Sequence, residues 1–191
     1  GREGVCIYLS PTEDDKTTIM ELGMESDWPA IASINDPFHS GPRTILERTT
    51  VFGSIRVKEL ELASDCIITG MATVDRSQTG CIRFSYVSEG SRTPRRYHCQ
   101  PDMALEKLDE QWIVHPGSPR KEDRQQAINA MLPAFTSLHY GQPAYAQLSR
   151  NCPEEIKRGA EDGSEMGAFC SLKQPQREDN LRTRLEEYMP F

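Results

Sequence analysis

The chain has 191 residues with 22 basic and 29 acidic side chains, a net charge of -7 and a hydrophobic content of 37%. That acidity argues against a general polyanion binder, because phosphate contacts need a basic surface, and no stretch approaches the roughly 20 consecutive apolar residues of a membrane span. The length suits one main body with an appendage, built around the thin core of an elongated fold.

The chain opens on Gly1 rather than Met and shows no signal-peptide pattern, so it reads as trimmed, processed or internal. Val5–Leu9 is a short β-like run. From Thr12 to Pro42, Pro29, Pro37 and Pro42 punctuate acidic clusters too often for a long helix, and an ordered but irregular loop is expected. Asp27, Asp36 and His39 in this loop fit no metal or triad spacing. Six cysteines, at positions 6, 66, 81, 99, 152 and 170, form no Cys-x-x-Cys pair. Buried thiols are expected, above all at Cys66 and Cys81, with a cytoplasmic location or a place in a large assembly.

The β-rich body runs from Thr44. Thr49-Thr50-Val51-Phe52-Gly53 resembles Cys66-Ile67-Ile68-Thr69-Gly70 at an offset of seventeen, and Cys66-Ile67-Ile68 resembles Cys81-Ile82-Arg83-Phe84 at fifteen. Short β-rich segments recurring at such a period point to the stacked coils of a parallel β-solenoid. Ile55, Val57, Leu60 and Leu62 are read as one inward face, and Ile82, Phe84 and Tyr86 as another. A three-stranded antiparallel sheet is the competing architecture, because Ser77–Gly80 resembles a hairpin turn.

Beyond Ser88 the character changes. Arg92, Arg95 and Arg96, followed by Tyr97, make a basic spot in an acidic chain. They are read as a partner contact through arginine pairing with carboxylate or phosphate, against salt bridges within the chain. Helices are expected from Asp102, with Met103, Leu105 and Leu108 apolar, and over Glu122–Met131, with Ile128, Met131 and Leu132 inward. His139, Tyr140 and Tyr145 belong to a packed aromatic loop. Pro153 suits the first turn of another helix, with Glu154 and Glu155 behind it. Gly159–Gly167 is read as a solvated acidic turn, although Glu161, Asp162 and Glu165 have general-acid or metal-ligand chemistry. Gln174–Tyr188 forms a helix with a Leu181, Leu185, Tyr188 stripe, and the chain stops on an apolar Met189-Pro190-Phe191.

The fold class expected is thus mixed β and α: a short parallel β-solenoid (β-helix) body followed by a helical C-terminal segment. Three parts are expected, 1–43 as N-terminal strand and loop, 44–101 as solenoid body and 102–191 as helical and loop appendage. Gly80–Val87, Gly90–Asp102, Phe135–Gly141, Pro143–Leu148, Gly159–Gly167 and Gln174–Tyr188 together resemble an uncharacterised family of bacterial, cyanobacterial-type β-solenoid proteins. The resemblance implies company with phage-tail-like contractile injection systems. On that basis the expected function is a structural or interaction protein, without enzymatic activity, catalytic residues, resident metal or cofactor. Its expected partners are other protein subunits, including copies of itself, with no nucleic acid. The partner-binding residues expected are Arg92, Arg95, Arg96 and Tyr97. The alternative is a carbohydrate-active enzyme on a β-helix, a polysaccharide lyase or hydrolase, with Glu59, Glu61, Asp75 and Arg83 as candidates. A zinc module using His98 and Cys99 is a third.

Overall fold

Among the described residues nine strands form, and every ladder between them is parallel: β1 (Cys6–Ile7), β2 (Gly41–Glu47), β3 (Thr50–Val51), β4 (Ile55–Ser64), β5 (Ile67–Ile68), β6 (Ala72–Val74), β7 (Cys81–Arg83), β8 (Tyr86–Val87) and β9 (Arg95–Tyr97). The computed structural model describes residues 6–7, 29–33, 38–113, 121–142 and 144–188. Parallel neighbours so close in sequence cannot be joined by hairpins or by helical crossovers. The chain must coil, and it does so as a parallel β-solenoid of about three turns. One sheet runs β1-β3-β5-β8 and the other β2-β4-β7-β9, with β6 stacked on the first half of β4. The antiparallel alternative is excluded by these registers. Asp27, Asp36 and the Val5 end of the first run lie outside the described residues.

The seventeen-residue offset is the true register, since Thr50 pairs with Ile67 and Val51 with Ile68. The next coil is longer, pairing Ile67 with Tyr86 and Ile68 with Val87. The fifteen-residue match of Cys66 with Cys81 is not a coil step. Cys81 pairs with Leu62, whereas the Cys66 amide donates to the Ser85 hydroxyl at 3.0 Å. The segment expected as one strand through Phe84 is two strands hinged there, because Phe84 takes a left-handed backbone at φ 47°. Phe84 therefore leaves the inward face it was expected to share with Ile82, and Tyr86 leaves it as well: Tyr86 falls on the outer side of the first sheet, while Val87, expected on the other face, points into the coil. In β4 the alternation slips between Val57 and Leu60, both fully buried, and Leu62 is only half-buried. A register shift between Thr44 and Ile45 of the neighbouring β2 accommodates the slip.

A single corner device repeats. Arg48, Asp65, Phe84 and His98 all have positive φ, between 47° and 56°. Each turns the chain from the second sheet into the first. The residue after each is small and buried: Thr49, Cys66, Ser85 and Cys99. Each of these four sends its hydroxyl or thiol back to the carbonyl two residues before it, on Glu47, Ser64, Arg83 and Tyr97. A local side-chain bond of this kind supports a bend by satisfying a carbonyl that the ladder leaves behind. Three positions separate the last strand residue from the next rung at every such corner: Glu47 to Thr50, Ser64 to Ile67, Arg83 to Tyr86 and Tyr97 to Gln100. The bend within the second sheet's side is not so regular. The rung Arg56–Thr73–Arg92 leads to the rung Leu62–Cys81–Arg95 after six, eight and three positions.

Two cores result. Val51, Val57, Leu60, Ala63, Ile68, Ala72, Val74, Ile82 and Val87, all fully buried, stack inside the coils. A second cluster covers the outer side of the first sheet, where Ile67 and Tyr86 meet Cys152, Ile156 and Met166, with Ala134, Phe135 and Leu148 around them. Phe52 extends this contact, its ring 4.8 Å from Phe135 in an edge-on pair. The C-terminal part thus docks on the solenoid. Its helices are α1 (Asp102–Ile113), α2 (Lys121–Ala130), the single-turn α3 (Glu154–Lys157) and α4 (Gln174–Tyr188), and Cys170–Leu172 forms a 3-10 turn before α4. In α2, Ile128 is buried as expected, but Leu132 just beyond it is 51% exposed. Pro153 precedes α3 as its cap. The side chains of Leu181, Leu185 and Tyr188 lie outside the described ones. Within the Ser137–Tyr145 loop the Tyr145 ring lies 5.6 Å from Phe52 and takes Tyr140 edge-on at 5.5 Å, although Tyr140 itself is 81% exposed.

Gly80 has φ +87°, and a Cβ there would stand 1.9 Å from the Leu60 carbonyl oxygen of the preceding coil. Gly90 has φ +78° with nothing within 4 Å of that position. Gly80→Ala is expected to lower unfolding stability by roughly 3 kcal/mol, and Gly90→Ala by about 1 kcal/mol, the strain of a left-handed alanine alone. Urea unfolding at constant slope measures both.

Candidate functional site

The basic spot splits in two. Arg96 turns inward: its Nε donates to the Thr93 hydroxyl at 2.8 Å, its Nη2 to the Ser91 carbonyl at 2.9 Å, and its Nη1 to both Asp102 carboxylate oxygens at 3.1 and 3.3 Å. It ties the last coil to the start of α1. Arg92 and Arg95 are exposed and make no ion pair among the described residues. Tyr97 is 58% exposed and joins a ring cluster, 5.7 Å from Phe84 and 4.2 Å from His98, while His98 stacks on Phe84 at 5.4 Å. Arg92, Arg95, Tyr97 and His98 therefore form an exposed surface at the edge strand β9, with Arg96 as its internal support.

The candidates for carbohydrate chemistry do not converge. Glu61 is paired with Arg43 at 2.6 Å and Glu59 with Arg76 at 3.6 Å, both on the outer side of the second sheet. Asp75 is exposed on the turn after β6. Arg83 lies elsewhere, in a polar cleft of about 290 Å³ lined by Glu47, Arg48, Ser64, Asp65 and Glu161. There Arg83 Nε donates to the Ser64 hydroxyl at 3.2 Å and Nη2 pairs with Glu161 at 3.3 Å. Asp65 is buried, yet each of its carboxylate oxygens has a protein donor: the Ser64 hydroxyl at 2.9 Å and the Glu161 amide at 2.8 Å. The cleft is built to hold the Gly159–Gly167 segment against the coils.

His98 and Cys99 diverge as well. The His98 ring is exposed on the corner, while the Cys99 thiol points inward to the Tyr97 carbonyl at 3.4 Å and burial pushes its pKa up. The described cysteines 66, 81, 99, 152 and 170 are all free thiols, buried except for the half-buried Cys81, and burial pushes the Cys66 thiol up to about 12. Among the described residues no group of three His, Cys, Asp or Glu side chains is placed to hold a metal ion, and no helix is long and apolar enough to cross a membrane.

The least anticipated site lies in the segment expected as a solvated turn. Ser164, Glu165, Met166 and Ala160 are buried, and the Gly167 amide donates to the Asp65 carbonyl at 2.8 Å while the Ala168 amide donates to the Thr50 hydroxyl at 3.0 Å. Burial would raise the Asp162 carboxyl, but hydrogen bonds from the Ser164 hydroxyl and amide and the nearby Lys173 hold it below its ordinary value. Glu165 is the opposite case. It is 5% exposed and makes no hydrogen bond or ion pair among the described residues. Burial, with the Glu178 carboxylate nearby, pushes its pKa up to about 7. Glu165 lines a cavity of about 240 Å³ together with Leu148, Arg150, Lys157, Gln174, Pro175 and Glu178.

Comparison of the chain with protein-family models, curated proteins and solved structures returned no match. The functional reading therefore rests on the geometry and on the sequence.

Because the folded-state pKa of Glu165 lies above its ordinary 4.5, the folded chain holds an extra proton between about pH 4.5 and 7. Its contribution to stability is complete below that window and is lost as the pH rises through about 7. The decline amounts to roughly 2–3 kcal/mol. Glu165→Gln, neutral at every pH, is expected to flatten this decline and to be more stable than the parent at pH 8, read from urea midpoints across the pH range.

Proposed function

We propose that this chain is a structural or interaction protein: a rigid β-solenoid that presents an arginine- and aromatic-rich edge to another protein subunit. The observation that carries this reading is the exposed set of Arg92, Arg95 and Tyr97 at β9, the end of the second sheet. Arginine and tyrosine are the side chains that most often dominate protein interfaces. An edge strand also offers backbone groups for pairing with a further strand. Stacked Ile/Val/Leu ladders beneath it keep the surface pre-ordered, so little conformational freedom is lost on docking. Ile45 is 54% exposed on the outer side of the second sheet, in the same rung as the half-buried Leu62 and Cys81, and adds an apolar strip to that face. A phage-tail-like assembly is the proposed setting, supported by the sequence resemblance alone. Self-association through coil ends belongs to the same reading. The carbohydrate-active alternative draws less support, because Glu59 and Glu61 are each paired with an arginine and the cleft that holds Arg83 is lined by neither of them nor by Asp75.

The charge-reversed double variant Arg92→Glu/Arg95→Glu is expected to keep the parent circular dichroism and unfolding midpoint. It should lose co-purification with the partner or with further copies by tenfold or more. Static light scattering of the parent should give a mass above that of one chain; a clean monomer that also captures no partner from its native complex counts against the reading. Arg96→Ala should behave differently, lowering stability by about 1–3 kcal/mol through the unpaired Asp102 and Ser91 groups.

A further inference from the structure

β9 ends the second sheet, and no described strand stands beyond it. Its register shows which backbone groups are left over. Arg95 and Tyr97 stand opposite Cys81 and Arg83 of β7, and the Tyr97 carbonyl takes the Phe84 amide at 3.0 Å. In a parallel ladder one residue turns both its amide and its carbonyl to one neighbour, and the next residue turns both to the other. Arg95 and Tyr97 are therefore committed to β7, and the Arg96 amide and carbonyl point along the axis, away from the sheet. The first sheet's side of this coil is closed differently. There the Cys99 and Pro101 carbonyls take the Met103 and Leu105 amides of α1, each at 3.0 Å. The open edge is thus a short one, confined to β9.

The side chains on the outer side of the second sheet show the same incompleteness. Charge there is matched from one coil to the next: Arg43 pairs with Glu61 at 2.6 Å and Arg76 with Glu59 at 3.6 Å. Arg83 takes Glu161 of the docked segment at 3.3 Å, and Arg56 gives its Nη1 to the Phe38 carbonyl at 2.8 Å. Arg92 and Arg95 hold the corresponding outward positions on the last coil, in register with Thr73 and Cys81. Both are exposed, and neither has an ion pair among the described residues. Carboxylates one rung further along the axis would match them.

Resting on the reading of β9 as a partner surface, we infer that the partner adds one extended acidic segment to β9 as a further strand. Its backbone bonds to Arg96, one of its carboxylates stands over Arg95 and a second reaches Arg92. A strand laid about 4.8 Å from β9 carries its outward side chains directly above those of Arg95 and Tyr97, and opposite charges so placed attract across the rung. Tyr97, with the stacked rings of Phe84 and His98 beside it, offers an apolar neighbour to the residue next along that face. Strand addition of this kind draws affinity from main-chain bonds and selectivity from alternate side chains.

The test is fluorescence anisotropy of the full chain with three labelled peptides: four Thr-Glu repeats, four Thr-Lys repeats, and the acidic sequence methylated at every backbone nitrogen. The acidic peptide is expected to bind at least tenfold more tightly than the lysine peptide. It should exceed the methylated peptide by as much, since that one keeps the charge but has no N–H to donate. Arg92→Glu/Arg95→Glu should weaken the acidic peptide tenfold or more. Raising the salt from about 0.05 to 0.5 M should weaken it severalfold. The Arg96 amide should gain hydrogen-exchange protection on binding, which charge alone does not bring about. No binding of the acidic peptide at millimolar concentration overturns the inference, as does equal binding of the methylated peptide or of polyphosphate, either of which marks a plain anion patch. A dimer of the parent chain in which the Arg96 amide is already protected assigns the edge to a second copy and overturns it as well. If the peptide fails while Arg92→Glu/Arg95→Glu still loses the native partner, the partner surface stands and strand addition by an acidic segment falls.

Discussion

The fold depends on one bend, the left-handed residue that carries the chain out of the second sheet and into the first. A left-handed backbone costs an ordinary side chain roughly 1 kcal/mol or more, and this chain accepts that cost at Arg48, Asp65, Phe84 and His98. The cost is offset each time by a hydroxyl or thiol returned to the carbonyl behind, and at Arg48, Asp65 and Phe84 also by an amide bond to the next coil. At Asp65 the bend also becomes the joint between the two halves of the molecule. Its carbonyl takes the Gly167 amide and its carboxylate takes the Glu161 amide, across 96 positions of sequence in the second case. Removing the bend would therefore release both the coil and the segment docked on it.

The seventeen-residue offset was legible because it compares like with like: Thr49 and Cys66 occupy the same corner, and Gly53 and Gly70 stack so closely that a Cβ on Gly70 would stand 2.3 Å from the Gly53 carbonyl carbon. The fifteen-residue offset compared a corner cysteine with a strand cysteine. What misled was residue type, since the true equivalents of Cys66 are Thr49, Ser85 and Cys99, which share a donor and a size rather than a letter. Phe84 was invisible as a corner for a related reason: a phenylalanine within Ile-Arg-Phe-Ser-Tyr-Val carries every local sign of a strand.

The docking of the 159–167 segment could not be read from its composition. Its glycines and acids are the residues of a solvated loop, and its partners Asp65, Thr50 and Arg83 lie far away in sequence. The one available signal was Met166 beside Glu165, an apolar residue adjoining an acidic run. Burial of that methionine against Ile67 and Tyr86 takes Glu165 in with it, and thereby shifts its proton affinity. The basic spot was half legible for the same reason. Composition marks arginines, but only the approach of Asp102 to Arg96 separates the arginine that braces the coil from the two that remain outside.

The unequal bends have a bearing on how such a molecule can diverge. Where the spacing is fixed at three positions, an insertion would push a side chain to the wrong side of the wall and break the stack. Where it runs six, eight and three, the surplus of the longest has been expelled into the Ser77–Thr79 turn, between Arg76, whose amide is bonded to Lys58, and the closely packed Gly80. That turn is the seam of the molecule: a place where residues can be gained or lost between generations, or an epitope grafted by hand, while the register of every coil stays as it was.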